Sequence, residues 1–256
     1  MPLDQPSPVL VSLTTIPSRA GNIVPTLNSL LDQTFPVEIL ISIPDRAMCE
    51  PHKEYRLSKK VLDCSRVKVK HHNHDTGPSM KFLPALRICS QTGRYLLVVD
   101  DDAIYPPTLV ENLLHWTLEH PQIVWATRGH LLPQNYQWKN TATIFSKDLT
   151  APQTCALVTG VGGYMFSPQV SGRMVLSDLE NYAGVPRGCI TMDDVWLSGH
   201  LSRQNIVKKI IPSTPKHKWS LFTVLLKRHL NPQRAERNNE AIQYFIRDWK
   251  PHEIEQ

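Results

Sequence analysis

The chain has 256 residues, of which 41% are hydrophobic and 20% are charged. This composition excludes a mostly disordered protein, and the length suffices for one large domain with its own hydrophobic core. The formal net charge of +5 suits an anionic ligand, but it is too small to indicate a nucleic-acid-binding protein.

Neither the cysteines nor the hydropathy pattern indicates an extracellular or membrane protein. The five cysteines are odd in number and form no CxxC pair, so neither a disulfide framework nor a zinc knuckle is indicated. The N-terminus has no basic stretch followed by an apolar run, and no segment reaches the ~18 apolar residues of a membrane span. We therefore expect no signal peptide, no transmembrane segment and a cytoplasmic location.

The first half of the chain alternates short apolar runs with helical patterns. Strands are predicted at residues 9–13, 37–43, 66–70, 95–99 and 123–126, and helices at residues 22–31, 79–90 and 106–119. Such alternation predicts an α/β fold with a mainly parallel, doubly wound sheet. Ligands of such sheets bind beyond the carboxyl ends of the strands, so the residues that follow each strand are the candidates for chemistry.

The second half is less regular. An antiparallel excursion is predicted for residues 128–147, a glycine-rich turn between residues 156–159 and 163–166, a strand at 206–211, and helices at 168–179, 192–203 and 235–249. No linker of altered composition separates the two halves. We therefore expect a single domain.

Three consecutive acids, Asp100, Asp101 and Asp102, follow the most apolar strand directly. Adjacent carboxylates at a dry strand end repel one another, and a divalent cation would relieve the repulsion. Carboxylate oxygens suit Mg²⁺ or Mn²⁺, which keep water ligands and are completed by substrate phosphates. Because side chains alternate along a strand, Asp100 and Asp102 are expected on one side and Asp101 on the other. The alternative is an acidic turn that caps the helix beginning near Pro106.

The acidic run resembles the DxD motif of GT-A-type glycosyltransferases, which use nucleotide sugars and carry this motif after a central strand. Residues 11–19 (VSLTTIPSR) are similar to the first strand and nucleotide-binding loop of family-2-like members, including small viral and bacterial enzymes. Residues 74–86 (HDTGPSMKFLPAL) resemble the segment beside the nucleotide and diphosphate. Residues 159–166 (TGVGGYMF) resemble the acceptor-side loop, and 192–201 (MDDVWLSGHL) the motif that carries the base of inverting members. The resemblance covers about residues 9–211, in the family's order.

The resemblance implies the mixed, mainly parallel GT-A sheet flanked by helices, with a donor site and a metal site at its edge. The implied donor contacts are Thr14, Thr15, Ile16, Pro17, Arg19, Asp75, Gly77, Pro78, Lys81, Asp100 and Asp101. The implied metal ligands are Asp102 and Asp100, with His217 as a late third ligand. His229 competes for this role, and a plain surface histidine is the alternative for both. Gly77 permits close backbone approach, and Lys81 in a first helical turn would offset diphosphate charge. A plain helix start with Asp75 as its cap is the alternative for this segment.

Asp193 and Asp194 are the implied catalytic pair. Asp194 stands where the family carries the base that deprotonates the acceptor hydroxyl, and Asp193 replaces the usual Glu with a shorter side chain. Alternatively, both acids only complement the dipole of a helix N-terminus. Trp196 is either a platform for a sugar ring or a core residue. The glycines at 160, 162 and 163 lack Rossmann spacing, and they make either a bend that admits an acceptor sugar or an ordinary hairpin bend.

The implied activity is metal-dependent transfer of a hexose from a nucleotide-diphosphate sugar, a UDP-sugar by default, to a glycan or other hydroxyl acceptor. A single displacement with Asp194 as base would invert the anomeric configuration. The nucleotide-binding half would span about residues 9–126, the acceptor side about 127–211, and a C-terminal extension with a helix 212–256. A retaining transferase, a nucleotidyltransferase and a non-catalytic glycan-binding module stay open as alternatives.

Overall fold

The computed structural model describes residues 8–212, 223–224 and 233–255. The strands are β1 (Val9–Leu13), β2 (Val37–Pro44), β3 (Val67–His72), β4 (Leu96–Val98), β5 (Ala103–Ile104), β6 (Val124–Ala126), β7 (Arg128–Leu131), β8 (Ala142–Phe145), β9 (Gln153–Thr154), β10 (Leu157–Val158), β11 (Tyr164–Phe166), β12 (Lys208–Ile210) and β13 (Thr223–Val224). The α-helices are α1 (Pro17–Ala20), α2 (Val24–Leu31), α3 (Lys59–Leu62), α4 (Leu83–Thr92), α5 (Leu109–Glu119), α6 (Pro168–Arg173), α7 (Leu176–Glu180), α8 (Arg187–Thr191), α9 (Asp193–Arg203) and α10 (Arg234–Tyr244). Short 3-10 helices cover Gly77–Lys81, Trp138–Asn140, Ser146–Asp148 and Pro251–Glu253.

Within these residues, eight strands form the main sheet in the order β3-β2-β1-β4-β11-β6-β12-β9. The first four are parallel, whereas β11 runs antiparallel to both β4 and β6. Strands β1, β2, β4, β6 and β11 are buried, because helices cover both faces of the sheet there. Val9, Val11 and Leu13 pack into one core cluster with residues of α2 and α5, and Leu10 packs into the other with residues of α4. The predicted α/β fold with a mixed, mainly parallel sheet is confirmed.

The order of the strands decides where the candidate residues meet. The chain runs outward from β1 to β3 and then returns to β4 on the other side of β1, which makes a topological switch point between β1 and β4. The segments that follow β1, β4 and β6 therefore meet at one edge. Because β11 is antiparallel, the glycine-rich turn that precedes it lies at this same edge.

The predicted excursion after β6 is an antiparallel sheet of its own. Strand β7 pairs with β8, where Arg128 lies opposite Phe145, and with β10, where Gly129 lies opposite Val158. Strand β5, directly after the acidic run, pairs with β13. The irregular second half thus adds a three-stranded sheet, β10-β7-β8, directly after β6.

Two predicted helices are broken in the structure. The helix predicted at 79–90 is a 3-10 turn over Gly77–Lys81 followed by α4, which has a proline in its first turn. Pro84 has no N–H to donate to the preceding turn, so a continuous helix cannot pass through it. The helix predicted at 168–179 divides into α6 and α7 at Met174, whose backbone is extended. None of the helices in the described ranges is long and apolar enough to cross a membrane.

The C-terminal end packs back on the fold through a buried ion pair. Lys208 Nζ lies 2.6 Å from Glu253 Oε1 and donates to Ser202 Oγ of α9 at 2.5 Å. Lys208 is fully buried and Glu253 is 1% exposed. Beside them, Ile254 forms a parallel bridge with Leu132. The pair therefore links β12, α9 and the last residues of the chain.

Candidate active site

A cleft of about 730 Å³ opens at the edge where β1, β4 and β6 end. Its lining comprises Thr14, Ile16, Arg19, Cys49, Pro78, Lys81, Asp100, Asp101, Asp102, Arg128, His130, Trp138, Leu157, Thr159, Val161, Thr191, Met192, Asp193, Asp194, Val195, Arg234, Arg237 and Asn238. Residues from eight separate parts of the sequence thus meet in one cavity. Its size is that of a small-molecule site.

Arg19 holds two acids of the run. One guanidinium nitrogen lies 3.0 Å from Asp101 Oδ1, and the other lies 3.4 Å from Asp102 Oδ2. Thr15 donates to Asp101 Oδ2 at 2.5 Å, and Thr26 donates to the Asp101 carbonyl at 2.9 Å. Burial raises the pKa of the Asp101 carboxyl to about 6, against the opposing effect of Arg19. Asp101 therefore anchors the loop, and Asp102 is the more exposed of the two.

Lys81 gathers the other acids. Its ammonium lies 2.8 Å from Asp100 Oδ1, 2.5 Å from Asp193 Oδ2 and 3.1 Å from Asp194 Oδ1. The Lys81 side chain is only 5% exposed. Burial alone would lower its pKa, but the three carboxylates raise it well above the ordinary value. One permanent positive charge thus joins the end of β4 to the start of α9.

Asp194 accepts two hydrogen bonds and has a raised pKa. The amide of Gly160 donates to Asp194 Oδ1 at 3.2 Å, and Lys81 contacts the same oxygen. Burial raises the pKa of Asp194 to about 7, and the nearby Lys81 opposes this rise while Asp193 adds to it. A carboxyl with a pKa near neutrality changes protonation state readily, which is a property of general bases.

The glycine-rich turn closes against this cluster. The Gly160 carbonyl accepts from the Asp100 amide at 3.1 Å, and Tyr105 Oη lies 3.2 Å from the same oxygen. A methyl group at position 160 would overlap the Asp100 carboxylate and the Lys81 ammonium. Gly163 adopts a positive φ of 82°. The lack of a side chain at Gly160 therefore leaves room for the Lys81–Asp100 ion pair. The sequence did not predict this contact.

The acids of the run divide between two cations. Asp101 and Asp102 contact Arg19, whereas Asp100 contacts Lys81. The Asp101 side chain is only 3% exposed, while those of Asp100 and Asp102 are 28% and 20% exposed. The expected placement of Asp100 and Asp102 on one side and Asp101 on the other stays a prediction, and the sequence did not predict the two cations that the acids contact.

The other predicted residues divide into those that line the cleft and those that support it. Thr14, Ile16, Arg19, Pro78, Lys81, Asp193 and Asp194 line it with the acidic run. Thr15 and Pro17 are buried beneath it. The Asp75 carboxylate accepts hydrogen bonds from the Met48 and Gly77 amides, each at 2.6 Å. Gly77 has a φ of 65°, and a methyl group there would lie 3.0 Å from the Ile190 carbonyl oxygen. Trp196 is 1% exposed and donates to the Leu179 carbonyl, so the core alternative is correct.

Sequence reasoning missed one end of the cleft altogether. Its lining includes residues that belong to no motif of the sequence, namely Arg128, His130, Trp138, Arg234, Arg237 and Asn238. They come from β7, the following 3-10 turn and α10, and the first and last of them are more than a hundred residues apart in the sequence. No local pattern indicated them, because only the tertiary fold brings α10 onto the excursion after β6.

Comparison with known proteins places this chain in a family. The Glycosyl transferase family 2 model matches residues 17–169, more than half of the chain. The chain belongs to glycosyl transferase family 2. The matched residues include Lys81 and the acidic run, whereas Asp193 and Asp194 lie beyond them. No curated protein matches the sequence.

Solved structures share the GT-A fold of this family 2 chain. A mannosyltransferase from Pyrobaculum calidifontis, in complex with GDP-Man and Mn²⁺, matches with a TM-score of 0.56 and 16% identity over 94% of this chain and 65% of its own. GalNAc-T7 with UDP, GalNAc and Mn²⁺ matches with a TM-score of 0.52 and 11% identity over 80% of this chain and 42% of its own. The chain thus spans less than two thirds of either protein's length.

The acids of the cleft suit a divalent cation whose remaining ligands come from water and the substrate. The Asp100 and Asp102 side chains are 28% and 20% exposed, and both offer carboxylate oxygens to the cleft. Across the described ranges, no three His, Cys, Asp or Glu side chains are arranged to hold a metal by themselves. Mg²⁺ and Mn²⁺ suit such a site, because one or two carboxylates and substrate phosphates complete their coordination. The predicted third ligand, His217, lies outside the described residues.

Proposed function

We propose that the protein transfers a hexose from a nucleotide-diphosphate sugar to a hydroxyl acceptor with the help of a divalent cation. One observation carries the proposal: a single buried ammonium, Lys81, joins the acidic run after β4 to the acid pair at the start of α9. Through Lys81, the acids proposed to hold the donor and the metal lie next to the acid proposed as the base. Membership of family 2 supports it.

The donor is proposed to lie over the switch point between β1 and β4. Thr14, Ile16 and Arg19 follow β1, and Pro78 and Lys81 approach from the 3-10 turn. Arg19 and Lys81 supply positive charge for a diphosphate, and Thr15 and Asp75 act by fixing the loops. The two solved structures hold GDP-Man and UDP. UDP is the nucleotide that we propose, with GDP as the alternative to be tested beside it.

Asp102 and Asp100 are proposed to hold the cation. When bound, a divalent cation supplies charge neutralisation to the diphosphate as the bond to the anomeric carbon breaks. Arg19 fixes Asp102, and Lys81 fixes Asp100, so both carboxylates are oriented before the donor binds.

Asp194 is proposed as the base. Its Oδ1 is engaged by Lys81 and by the Gly160 amide, so Oδ2 is the oxygen that would accept the proton from the acceptor hydroxyl. Lys81 stabilises the ionised form, and Asp193 shares the same ammonium as a positioning residue. The hydroxyl oxygen attacks the anomeric carbon opposite the departing diphosphate, which gives an inverted product.

The halves of the single domain follow from this assignment. We propose that residues 9–126 bind the nucleotide, that residues 127–211 carry the acceptor side, and that α10 of the C-terminal extension (212–256) lines the acceptor end. Lining residues from α10 support this division.

The experiment compares Asp194→Asn with wild type and with Asp63→Asn, an exposed matched control. Nucleotide release from a panel of UDP- and GDP-sugars measures transfer, and calorimetry with UDP, GDP and Mn²⁺ measures donor binding. Asp194→Asn is expected to reduce kcat about 10²–10⁴-fold, the usual effect of a general base, with unchanged nucleotide affinity. Near-normal transfer in Asp194→Asn would remove Asp194 as the base. The product's anomeric proton NMR signal distinguishes inversion from retention.

A further inference from the structure

The cleft is divided by charge. At one end stand five carboxylates, those of residues 100–102 and 193–194, with Arg19 and Lys81 paired among them. At the other end stand three arginines, Arg128, Arg234 and Arg237. An acid-rich end suits a cation, and an arginine-rich end suits an anion.

Two of the arginines belong to the first turn of α10. Arg234 is exposed and Arg237 is half-buried. Within the described part of the chain, the arginines that form ion pairs with carboxylates do not include these two. Arg237 donates one hydrogen bond, to Gln233 Oε1 at 2.7 Å. Asn238, which is 3% exposed, donates to the Arg234 carbonyl at 2.9 Å, so this turn is firmly packed. Two guanidinium groups are thus presented from a fixed backbone.

The third arginine comes from the opposite wall. Arg128 stands at the start of β7, with its guanidinium 5.4 Å from the centre of the Phe145 ring and 3.3 Å from Thr159 Oγ1. The ring and the hydroxyl fix the direction of the side chain. A guanidinium held in this way loses little conformational entropy when it binds an oxyanion.

An aromatic pair lies beside the arginines. The rings of His130 and Trp138 are 5.1 Å apart, and both line the cleft. The Trp138 amide donates to Asn239 Oδ1 of α10 at 2.7 Å, which ties this wall to the helix that carries Arg234 and Arg237. A flat indole face suits a sugar ring, and the neighbouring arginines suit a charged substituent on it.

The sheet order separates this end from the donor acids. The acidic run follows β4, at the switch point, whereas Arg128 follows β6, which is two strands away with β11 between them. Arg19 and Lys81 stand among these acids, and they are the cations that we assign to the donor diphosphate. The three arginines, of which Arg128 lies two strands along the sheet, are therefore placed for the second substrate.

We infer that Arg128, Arg234 and Arg237 form an anion-binding subsite that recognises a carboxylate, sulfate or phosphate group on a saccharide acceptor. The inference rests on the proposed transfer reaction, since it names the chemistry of its acceptor. The anion contacts the guanidinium groups, and the sugar ring lies against Trp138.

The probes are matched pairs of small sugars. Methyl β-D-glucuronide is compared with methyl β-D-glucoside, and glucose 6-phosphate and glucose 6-sulfate with glucose, by NMR titration of the full chain. The wild type is expected to bind at least one charged sugar about ten-fold more tightly than its neutral partner, the effect of one charge-assisted hydrogen bond. The pair with the largest preference identifies the anion. Equal affinities within every pair would overturn the inference.

The variants are Arg237→Gln and Arg234→Gln, with Arg247→Gln as the control, an exposed arginine of the same C-terminal region. The first two are expected to abolish the preference and to leave the Kd for UDP with Mn²⁺ within about two-fold, and the control to change neither. Weaker UDP binding with an unchanged sugar preference would instead assign these arginines to the donor diphosphate, which overturns the inference. The sugar titrations need no turnover, so they test the subsite alone. A wild type that binds no nucleotide would count against the proposed reaction instead.

Discussion

Lys81 shows how one side chain can assemble a site from distant segments. Its ammonium contacts Asp100, Asp193 and Asp194, which are up to 113 residues away in sequence. The sequence indicated Lys81 as a phosphate contact by resemblance, but it gave no sign of the three carboxylates. The resemblance placed these residues in one site, yet which acid pairs with which cation depends on tertiary contacts that local patterns do not encode.

Gly160→Ala tests how tightly the glycine-rich turn packs against Lys81 and Asp100. The added methyl would overlap the Asp100 carboxylate and the Lys81 ammonium, so we expect lower transfer and a lower free energy of unfolding, by about 1–3 kcal/mol as for overpacking. Activity assays and denaturant unfolding measure the two effects.

The matched control is Gly172→Ala in α6, where an added methyl meets nothing within 4 Å. Alanine in that helix is expected to stabilise the protein by roughly 0.5–1 kcal/mol. Equal effects of the two alanine substitutions would contradict the packing described for Gly160.

The pKa of Asp194 predicts a pH dependence of catalysis. A base must be unprotonated, and burial raises the pKa of Asp194 to about 7. We therefore expect kcat/KM to rise with pH up to about 7 and then to level off, since kcat/KM reports the ionisation of the free enzyme. The measurement is a pH–rate profile from pH 5 to 9. A profile that is flat through this range, with full activity at pH 5, would contradict the assignment.

At the scale of elements, α9 carries the candidate base at its start and contacts a buried ion pair through Ser202 near its end. Ser202 of α9 donates to Glu253, and Lys208 lies 2.6 Å from the same carboxylate. The C-terminal residues thus fix the position of α9, while Asp194 stands at the opposite end of the helix. Sequence patterns predicted α9 within one residue, but this cluster depends on residues from three separated segments.

Glu253→Gln tests this support. Breaking a buried pair leaves Lys208 charged and uncompensated, so we expect a loss of about 3–5 kcal/mol in the free energy of unfolding. The control is Glu255→Gln, an exposed acid two residues on, which should change stability by less than about 0.5 kcal/mol. Denaturant unfolding with unchanged m-values gives both numbers. Equal stability of the two variants would show that the buried pair contributes nothing.

The elements themselves were predictable to different degrees. Strand β1 and the buried run of β4 stood out as apolar segments, and Pro84 explains why one predicted helix begins late. The predicted C-terminal helix ends at Tyr244 rather than at 249, although Phe245 and Trp249 are buried as the apolar stripe requires. Periodicity thus predicted which face is buried better than where a helix stops.

Across the whole molecule, the chemistry follows from strand order. A switch point between β1 and β4 and an antiparallel β11 bring the acidic run, the glycine-rich turn and the loop after β1 to one edge. The alternating pattern and the motif order predicted the fold and the acidic end of the cleft. The arginine-rich end could not be predicted, because α10 reaches it only through packing between the C-terminal region and the excursion after β6.

Metal-dependent nucleotide binding tests the central claim most directly. Thermal unfolding is followed for wild type, Asp102→Asn and the control Asp63→Asn, with UDP or GDP and with or without Mn²⁺. A nucleotide at 100 times its Kd stabilises a protein by about 2.7 kcal/mol, which raises Tm by several degrees. We predict this rise in the wild type and the control only when Mn²⁺ is present, and its loss in Asp102→Asn. A wild type that responds to neither nucleotide with Mn²⁺, or an Asp102→Asn variant that responds fully, would contradict the account.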